Sequence, residues 1–181
     1  MKVLILAAGY ATRLYPLTES QPKPLLEING KAILGHILDK VKNVPDVSDV
    51  FIVTNHRFYD QFRIWLNHYP FPRKITLVDD GTLSNEDRLG AVGDINFVLK
   101  EKEIAEDLLV IAGDNLFGFS LRTFLDFCQA KRASVLALRD VKDLEKIKGR
   151  YGAGVLEGSK VVSFEEKPQN PALLCRFLLF E

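Results

Sequence analysis

Short apolar runs alternate with amphipathic stretches along most of this 181-residue chain. Runs rich in apolar and β-branched residues predict buried strands, and apolar positions repeating every three or four residues predict helices. The pattern predicts strands at 2–7, 49–54, 74–78, 107–112 and 133–139. It predicts helices at 31–43, 57–68, 88–102 and 120–131, and then a hairpin that ends near Lys167 and turns at Gly158-Ser159.

Strands that alternate with helices are typical of a mostly parallel sheet covered by helices on both faces. We therefore predict an α/β fold of the three-layer, Rossmann-like type, formed by a single domain over residues 1–181. In such sheets ligands bind at the carboxyl ends of the strands. The residues that directly follow each strand are therefore the first candidates for chemistry.

The residues after the first predicted strand are suited to phosphate binding. The strand stops at Ala7-Ala8-Gly9, Arg13 follows, and Lys23 stands ten residues beyond that arginine. Small residues let backbone N–H groups approach a ligand, and successive N–H groups in a turn can bind an anion. Arg and Lys side chains bind phosphate oxygens. Neither a P-loop nor a G-x-G-x-x-G fingerprint is present, and an ordinary βα turn with surface charges is the alternative.

The segment from Leu6 to Leu26, LAAGYATRLYPLTESQPKPLL, resembles the signature of the sugar-phosphate nucleotidylyltransferases, which include glucose-1-phosphate thymidylyltransferase. That signature reads L-A-G-G-x-G-T-R-L-x-P-x-T and continues with x-x-x-P-K-x-L-L-P. Alanine replaces glycine at Ala8 and Ala11, which makes a positive φ at Ala11 less expected. The resemblance implies that the nucleotide is bound by Leu6, Ala8, Gly9, Tyr10, Ala11 and Thr12.

The resemblance also implies three catalytic residues. Arg13 would bind the β- and γ-phosphates of a nucleoside triphosphate, and Lys23 would neutralise the α-phosphate and the attacking phosphate. Gly113-Asp114-Asn115 follows the fourth predicted strand, where the family places a metal-binding aspartate. Asp114 is thereby implied as a catalytic residue and as the ligand of the cofactor Mg²⁺, a cation that prefers oxygen ligands. From the residues alone, the tripeptide is more typical of a turn.

The resemblance extends to the nucleotide base. Gly90 opens the third predicted helix, where the family has a glycine against the base. Asn85 stands where the family has a base-reading glutamine, and it offers the same donor and acceptor groups. Asn85 and Gly90 are therefore implied nucleotide-binding residues. Helix capping is an alternative role for Ser84 and Asn85.

Two further segments resemble the part of the family that binds the sugar phosphate. Tyr151-Gly152 is similar to R-Y-G-V-V-E, and Glu165-Glu166-Lys167-Pro168 matches E-E-K-P. The resemblance implies sugar-phosphate contacts by Gly152, Glu166 and Lys167. Without it, Gly152 would be a strand-initiating glycine and the charged tetrapeptide a solvated strand end.

Composition narrows the classes of function and location. Lys+Arg and Asp+Glu each number 24, so the formal net charge is zero and no basic field favours nucleic acid. The two cysteines and the short N-terminal apolar run predict a cytoplasmic protein without a signal peptide or membrane span. The three histidines show no metal-ligand spacing. Asp79-Asp80-Gly81 predicts a plain turn.

The implied reaction joins a nucleoside triphosphate to a sugar 1-phosphate, giving a nucleotide sugar and pyrophosphate. Two alternatives stay open, namely cytidylyl transfer to a choline-like phosphate and a non-catalytic nucleotide-binding or regulatory module. The non-catalytic module stays open because residues 171–181, PALLCRFLLFE, depart from the family pattern. The domain is therefore expected to be short at its C-terminal end, without the family's second metal-binding aspartate. The apolar ending also makes a homo-oligomer an expectation.

Overall fold

The computed structural model describes residues 1–141, 143–169 and 175–177. The helices in this part of the chain are α1 (Ile33–Lys42), α2 (Tyr59–Asn67), α3 (Gly90–Glu101), α4 (Leu121–Lys131) and α5 (Leu144–Ile147). The strands are β1 (Lys2–Leu6), β2 (Glu27–Ile28), β3 (Lys31–Ala32), β4 (Asp49–Thr54), β5 (Lys74–Asp79), β6 (Leu108–Ala112), β7 (Leu138–Asp140), β8 (Ala153–Glu157), β9 (Lys160–Glu165) and β10 (Cys175–Phe177). None of the helices in the described ranges has the length and apolar character needed to span a bilayer.

The chain divides into two compact units, with the boundary between Arg122 and Thr123. The expectation of a single domain over 1–181, short at its C-terminal end, stays a prediction.

The first unit is built on a four-stranded parallel sheet in the order β5-β4-β1-β6. Side chains alternate between the faces of a strand, so Leu4 and Val53 point to one face and pack in a core cluster with Val98 of α3. Ile5 and Ile52 point to the opposite face and are equally buried. Both faces are therefore covered, and the predicted α/β class is confirmed.

The strand order fixes where a ligand can bind in this sheet. The chain moves from β1 to β4 and β5 on one side, and then returns to place β6 on the other side of β1. The order thus reverses between β1 and β6, and the crevice at their carboxyl ends is the expected ligand position. Ala7, Asn55, Asp80 and Gly113 are the first residues after β1, β4, β5 and β6 at this edge.

The second unit contains an antiparallel sheet in the order β7-β10-β8-β9. Strands β8 and β9 form the predicted hairpin, whose turn includes Gly158 at φ 60°. The fifth predicted strand, 133–139, differs. It forms only at Leu138–Asp140 and pairs antiparallel with β10. Residues 133 and 134 are exposed, whereas a strand of a parallel sheet is buried on both faces.

Candidate active site

Hydrogen bonds from β4 hold the chain where it leaves β1 at Leu6. The amide of Ala7 donates to the carbonyl of Val53 at 2.8 Å. The buried side chain of Asn55 donates to the carbonyl of Ala8 at 2.9 Å. Gly9 is exposed, and open space lies where a Cβ would stand. This turn therefore has a fixed backbone and leaves room in front of it for a ligand.

Ala11 adopts the left-handed backbone conformation, with φ 48° and ψ 39°. The expectation that Ala11 would avoid a positive φ is therefore wrong. The carbonyl of Ala11 accepts from Leu14 N at 2.9 Å and from Thr18 Oγ1 at 2.8 Å. These bonds offset a conformation that costs an alanine about 1–2 kcal/mol. The chain then forms a short 3-10 helix, Thr12–Leu14, on which Thr12 and Arg13 are exposed.

The side chain of Tyr10 turns into the protein. Its hydroxyl lies 3.2 Å from Thr82 Oγ1, and its ring packs at a tilt against Phe58 with 6.4 Å between centroids. Burial raises the pKa of Tyr10, so the phenol stays protonated at neutral pH. Only the backbone of Tyr10 is therefore placed to face a ligand.

Lys23 and Asp114 meet although they are 91 positions apart in the chain. The Lys23 Nζ donates to Asp114 Oδ2 at 2.9 Å, and the two side chains are 25% and 17% exposed. An ion pair that is largely out of water interacts more strongly than one on the surface. The structure thus brings the implied catalytic lysine into direct contact with the implied metal ligand.

A rigid turn holds Lys23. The residue begins a short 3-10 helix, Lys23–Leu25, between Pro22 and Pro24, and each proline ring fixes its own φ. Pro24 and Leu25 are buried, and the Gln21 side chain donates to the carbonyl of Leu25 at 2.9 Å. The backbone of Lys23 is therefore anchored, and its side chain projects from a fixed point.

Gly113 sets the position of Asp114. Its amide donates to the carbonyl of Leu6 at 2.7 Å, so the end of β6 lies directly against the end of β1. A Cβ at Gly113 would stand 2.7 Å from that same carbonyl oxygen, which is closer than real Cβ atoms approach. Only glycine therefore allows Asp114 to lie at the crevice between these strands.

Arg13 is not part of the ion pair. It is exposed on the turn after β1, and it makes no salt bridge with Asp114, a residue that the structure also describes. Its guanidinium is thus open to solvent, whereas the Lys23 ammonium already has a partner.

The loop between β5 and α3 is ordered by Asp87. Its carboxylate accepts from Leu83 N at 3.0 Å and from Ser84 N at 2.8 Å, and these bonds hold the pKa of Asp87 below its usual range. The neighbouring Asn85 is half-buried, and its carbonyl accepts from Arg88. Helix α3 begins after Leu89 without a side-chain cap. The alternative of Ser84 or Asn85 as the cap of α3 is therefore not realised.

Gly90 is the first residue of α3 and has φ 74°, a backbone conformation that L side chains rarely adopt. Open space lies where its Cβ would stand. The preceding residue, Leu89, gives no side-chain cap, so the first amides of the helix can bond to an acceptor atom of a ligand.

The three implied sugar-phosphate residues belong to the second unit. A Cβ at Gly152 would overlap the ring of Phe164 and would stand 3.1 Å from Glu166 Oε2. Packing within this unit is therefore sufficient to explain a glycine at this position. The Lys167 Nζ lies 3.4 Å from Glu166 Oε1, and both side chains are exposed. Lys167 has φ 48°. Gly152, Glu166 and Lys167 are therefore neighbours within this unit.

The sequence profile of a family described as nucleotidyl transferase matches residues 2–176. The chain belongs to the nucleotidyl transferase family. The resemblance stated from the sequence is thereby confirmed.

Individual nucleotidyl transferases support this membership. The chain is 32% identical to the bifunctional protein GlmU of Methanocaldococcus jannaschii over 173 residues, which are 94% of this chain and 37% of GlmU. It is 29% identical to the glucose-1-phosphate cytidylyltransferase of Salmonella typhi, covering 93% of this chain and 70% of that protein. A crystal structure of a protein assigned as a glucose-1-phosphate thymidylyltransferase of Bacillus anthracis aligns with a TM-score of 0.82 and 26% identity, covering 98% of this chain and 68% of that one.

Sequence reasoning missed two features of this candidate site. The first is Asn55. The sequence signal that could have predicted it is an asparagine directly after a buried strand, which is a common helix-capping position. Its side-chain oxygen indeed accepts from Phe58 N at 3.0 Å. The second is the buried carboxylate of Asp80, because the sequence Asp79-Asp80-Gly81 predicted a plain turn, with help to the metal from Asp79 or Asp80 as the alternative. Gly81 is exposed, but Asp80 points inward.

Proposed function

We propose that the chain catalyses the Mg²⁺-dependent condensation of a nucleoside triphosphate with a sugar 1-phosphate, giving a nucleotide sugar and pyrophosphate. The observation that carries this proposal is the contact of Lys23 with Asp114 at the crevice between β1 and β6. The turn at Ala8–Gly9 lies at the same edge of the sheet. The family membership and the names of the sugar-phosphate relatives agree with this assignment.

In the proposed reaction, an oxygen of the sugar phosphate attacks the α-phosphorus of the triphosphate. The new phosphorus–oxygen bond forms as the bond to the β-phosphate breaks, and pyrophosphate leaves. Lys23 neutralises the α-phosphate and the incoming phosphate, and Arg13 binds the leaving pyrophosphate. A phosphate monoester is already anionic near neutral pH, so the reaction needs no general base and depends on positioning and charge.

The donor set at the crevice fits Mg²⁺ held in part by the substrate. Within the described residues there is no group of three or more His, Cys, Asp and Glu that could hold a metal by itself. Mg²⁺ is usually bound through one or two carboxylates together with substrate phosphates, so Asp114 is a sufficient protein ligand. When bound, Mg²⁺ would neutralise the phosphate oxygens and polarise phosphorus.

The remaining assignments extend the proposal. We assign the backbone of Leu6 and of Ala8 to Thr12 to the nucleotide phosphates and sugar, and Asn85 and Gly90 to the base. We assign Gly152, Glu166 and Lys167 of the second unit to the sugar phosphate. A homo-oligomer and a cytoplasmic location stay predictions from the sequence.

The test is a pyrophosphate-release assay across the common nucleoside triphosphates, each with glucose 1-phosphate, mannose 1-phosphate, N-acetylglucosamine 1-phosphate or phosphocholine. We expect release with Mg²⁺ and at least one sugar 1-phosphate, and none without the acceptor. Release with phosphocholine but with none of the sugar 1-phosphates would identify a choline-like phosphate as the acceptor. Triphosphate binding without release for every acceptor would identify a non-catalytic module and overturn the proposal.

A further inference from the structure

Two carboxyl groups that the proposed reaction does not use are buried next to the loop after β5. Asp80 directly follows β5, and Asp94 lies on α3. The two residues are only 9% and 6% exposed. Asp80 Oδ2 and Asp94 Oδ1 are both buried, and neither has a hydrogen-bond donor as its partner in the described part of the chain. Buried polar atoms are costly to leave unpaired, so these two oxygens need a partner.

A single proton supplies that partner. The pKa of Asp94 is raised to about 7, mainly by burial and then by the charge of Asp80 and a hydrogen bond between the two carboxyl groups. Asp80 Oδ1 accepts from the amide and from the hydroxyl of Thr82, both at 2.7 Å. Such bonds favour an ionised carboxyl, so Asp80 is the carboxylate of the pair and Asp94 is the acid that donates to it.

The other charges near the pair do not replace the proton. Burial raises the pKa of Asp80, and the carboxylates of Asp79 and Asp87 add to the rise. The imidazole of His56 is hydrogen-bonded to Asp79 at 2.6 Å. The charge of the Arg57 guanidinium is directed at Tyr10, whose pKa it lowers against the larger effect of burial. The surroundings of the pair are thus dominated by negative charge.

The pair joins the two ends of the segment 81–93, which we call the base loop. Asn85 and Gly90, the proposed base contacts, both lie within it. From Asp80 the hydrogen bonds continue through Thr82 to the hydroxyl of Tyr10, which belongs to the turn after β1. The carbonyl of Thr82 also accepts from His56 N at 2.9 Å. The carboxyl pair therefore connects the base loop to the turn that would bind the phosphates.

We propose that Asp80 and Asp94 share one proton and act as positioning residues, holding the base loop in the conformation that binds the nucleoside triphosphate. Loss of the proton leaves two carboxylates facing each other in a buried place, and their repulsion loosens the loop. The inference rests on the proposed function only where it assigns nucleotide binding to the loop. The shared proton and its effect on loop order do not depend on catalysis.

The first test needs no nucleotide. Hydrogen exchange of the wild-type chain is measured at pH 6 and pH 8.5, with rates corrected for intrinsic exchange. We expect protection in the base loop to fall by about tenfold or more between these values, since one linked proton changes an equilibrium by up to tenfold per pH unit. The Asp94→Asn variant keeps a donor to Asp80 but has no proton to lose, so its protection should stay constant.

The second test is nucleotide affinity from pH 6 to 9 by titration calorimetry with Mg²⁺ and each triphosphate in turn. The affinity of the wild type should fall by up to about tenfold per unit above pH 7, relative to that of Asp94→Asn. Because the affinities of the two proteins are compared as a ratio at each pH, the effect of nucleotide ionisation on affinity cancels. Asp60→Asn, an exposed change on α2, is the matched control and should follow the wild type.

The outcomes separate this inference from the proposed function. If no triphosphate binds at any pH, the proposed function fails, and the exchange data alone decide whether the pair orders the loop. If Asp94→Asn does not fold, carbon-13 titration of the wild-type aspartate carboxyls replaces it, and one of them should titrate near pH 7. An exchange profile of the base loop that is the same at both pH values in the wild type overturns the inference.

Discussion

Asp114 and Asp80 both lie at the carboxyl edge of the parallel sheet, yet the structure gives them opposite partners. Each follows the carboxyl end of a strand of the parallel sheet, Asp114 after β6 and Asp80 after β5. Asp114 meets the ammonium of Lys23 at 2.9 Å, whereas Asp80 meets a second carboxyl group, that of Asp94. The group that the fold brings against such an aspartate, rather than the residues directly next to it, therefore decides whether it is paired with a cation or with a proton.

The largest expected effect is that of the Asp114→Asn variant, which removes the charge that pairs with Lys23. We expect pyrophosphate release to fall by at least about a thousandfold, since the variant loses both the carboxylate partner of Lys23 and the proposed metal ligand. Asp49→Asn, at the amino end of β4 and thus at the opposite edge of the sheet, is the matched control. Unchanged turnover in Asp114→Asn would remove the metal assignment, whereas equal losses in both variants would indicate a general effect on folding.

The next effect is that of Lys23→Met, which should reduce turnover by about 10²–10³-fold. The ammonium also competes with a metal for Asp114, so the variant should bind Mg²⁺ alone more tightly than the wild type does. Stopped assays and calorimetry with MgCl₂ measure the two quantities. Lys74→Met, at the amino end of β5, is the control, and weaker Mg²⁺ binding in Lys23→Met would contradict the competition.

The carboxyl pair predicts a smaller effect, on the pH dependence of stability. Folding raises the pKa of Asp94 from its ordinary 3.8 to about 7, so the folded state keeps a proton that the unfolded chain releases. The stabilisation is complete below about pH 4 and is lost as the pH rises to 7, at up to roughly 1.4 kcal/mol per pH unit. Urea unfolding of the wild type and Asp94→Asn between pH 4.5 and 8 measures it. The variant should show the flatter profile and should be the more stable protein at pH 8.

The smallest predicted change concerns the turn after β1. Ala11 has φ 48°, a conformation that glycine adopts without strain. Ala11→Gly should therefore raise the free energy of unfolding by about 0.5–1 kcal/mol, the gain from the relieved strain being reduced by the greater entropy of glycine in the unfolded chain. A thermal melt measures the change. A destabilised variant would show that the Ala11 backbone is not strained.

Periodicity predicted most of the first unit, since buried strands and amphipathic helices are recorded in local sequence. Each of the four predicted helices matched an observed one within about two residues at either end. The arrangement of β7 was not predictable, because a short, half-exposed run carries no information about which sheet it joins. Sequence order alone also gave no sign that Asp80 and Asp94 would meet, because that contact depends on how β5 and α3 pack together.

Gly113 has a consequence for how the crevice could change in evolution. The gap between β1 and β6 is set by a residue with no side chain, whose amide touches the carbonyl of Leu6 at 2.7 Å. A single added methyl group would push the two strand ends apart and carry the neighbouring carboxylate away from the ammonium. The spacing of these strand ends thus depends on the absence of one carbon atom, and a single substitution at Gly113 would remove the proposed activity while Lys23 and Asp114 stayed unchanged in the sequence.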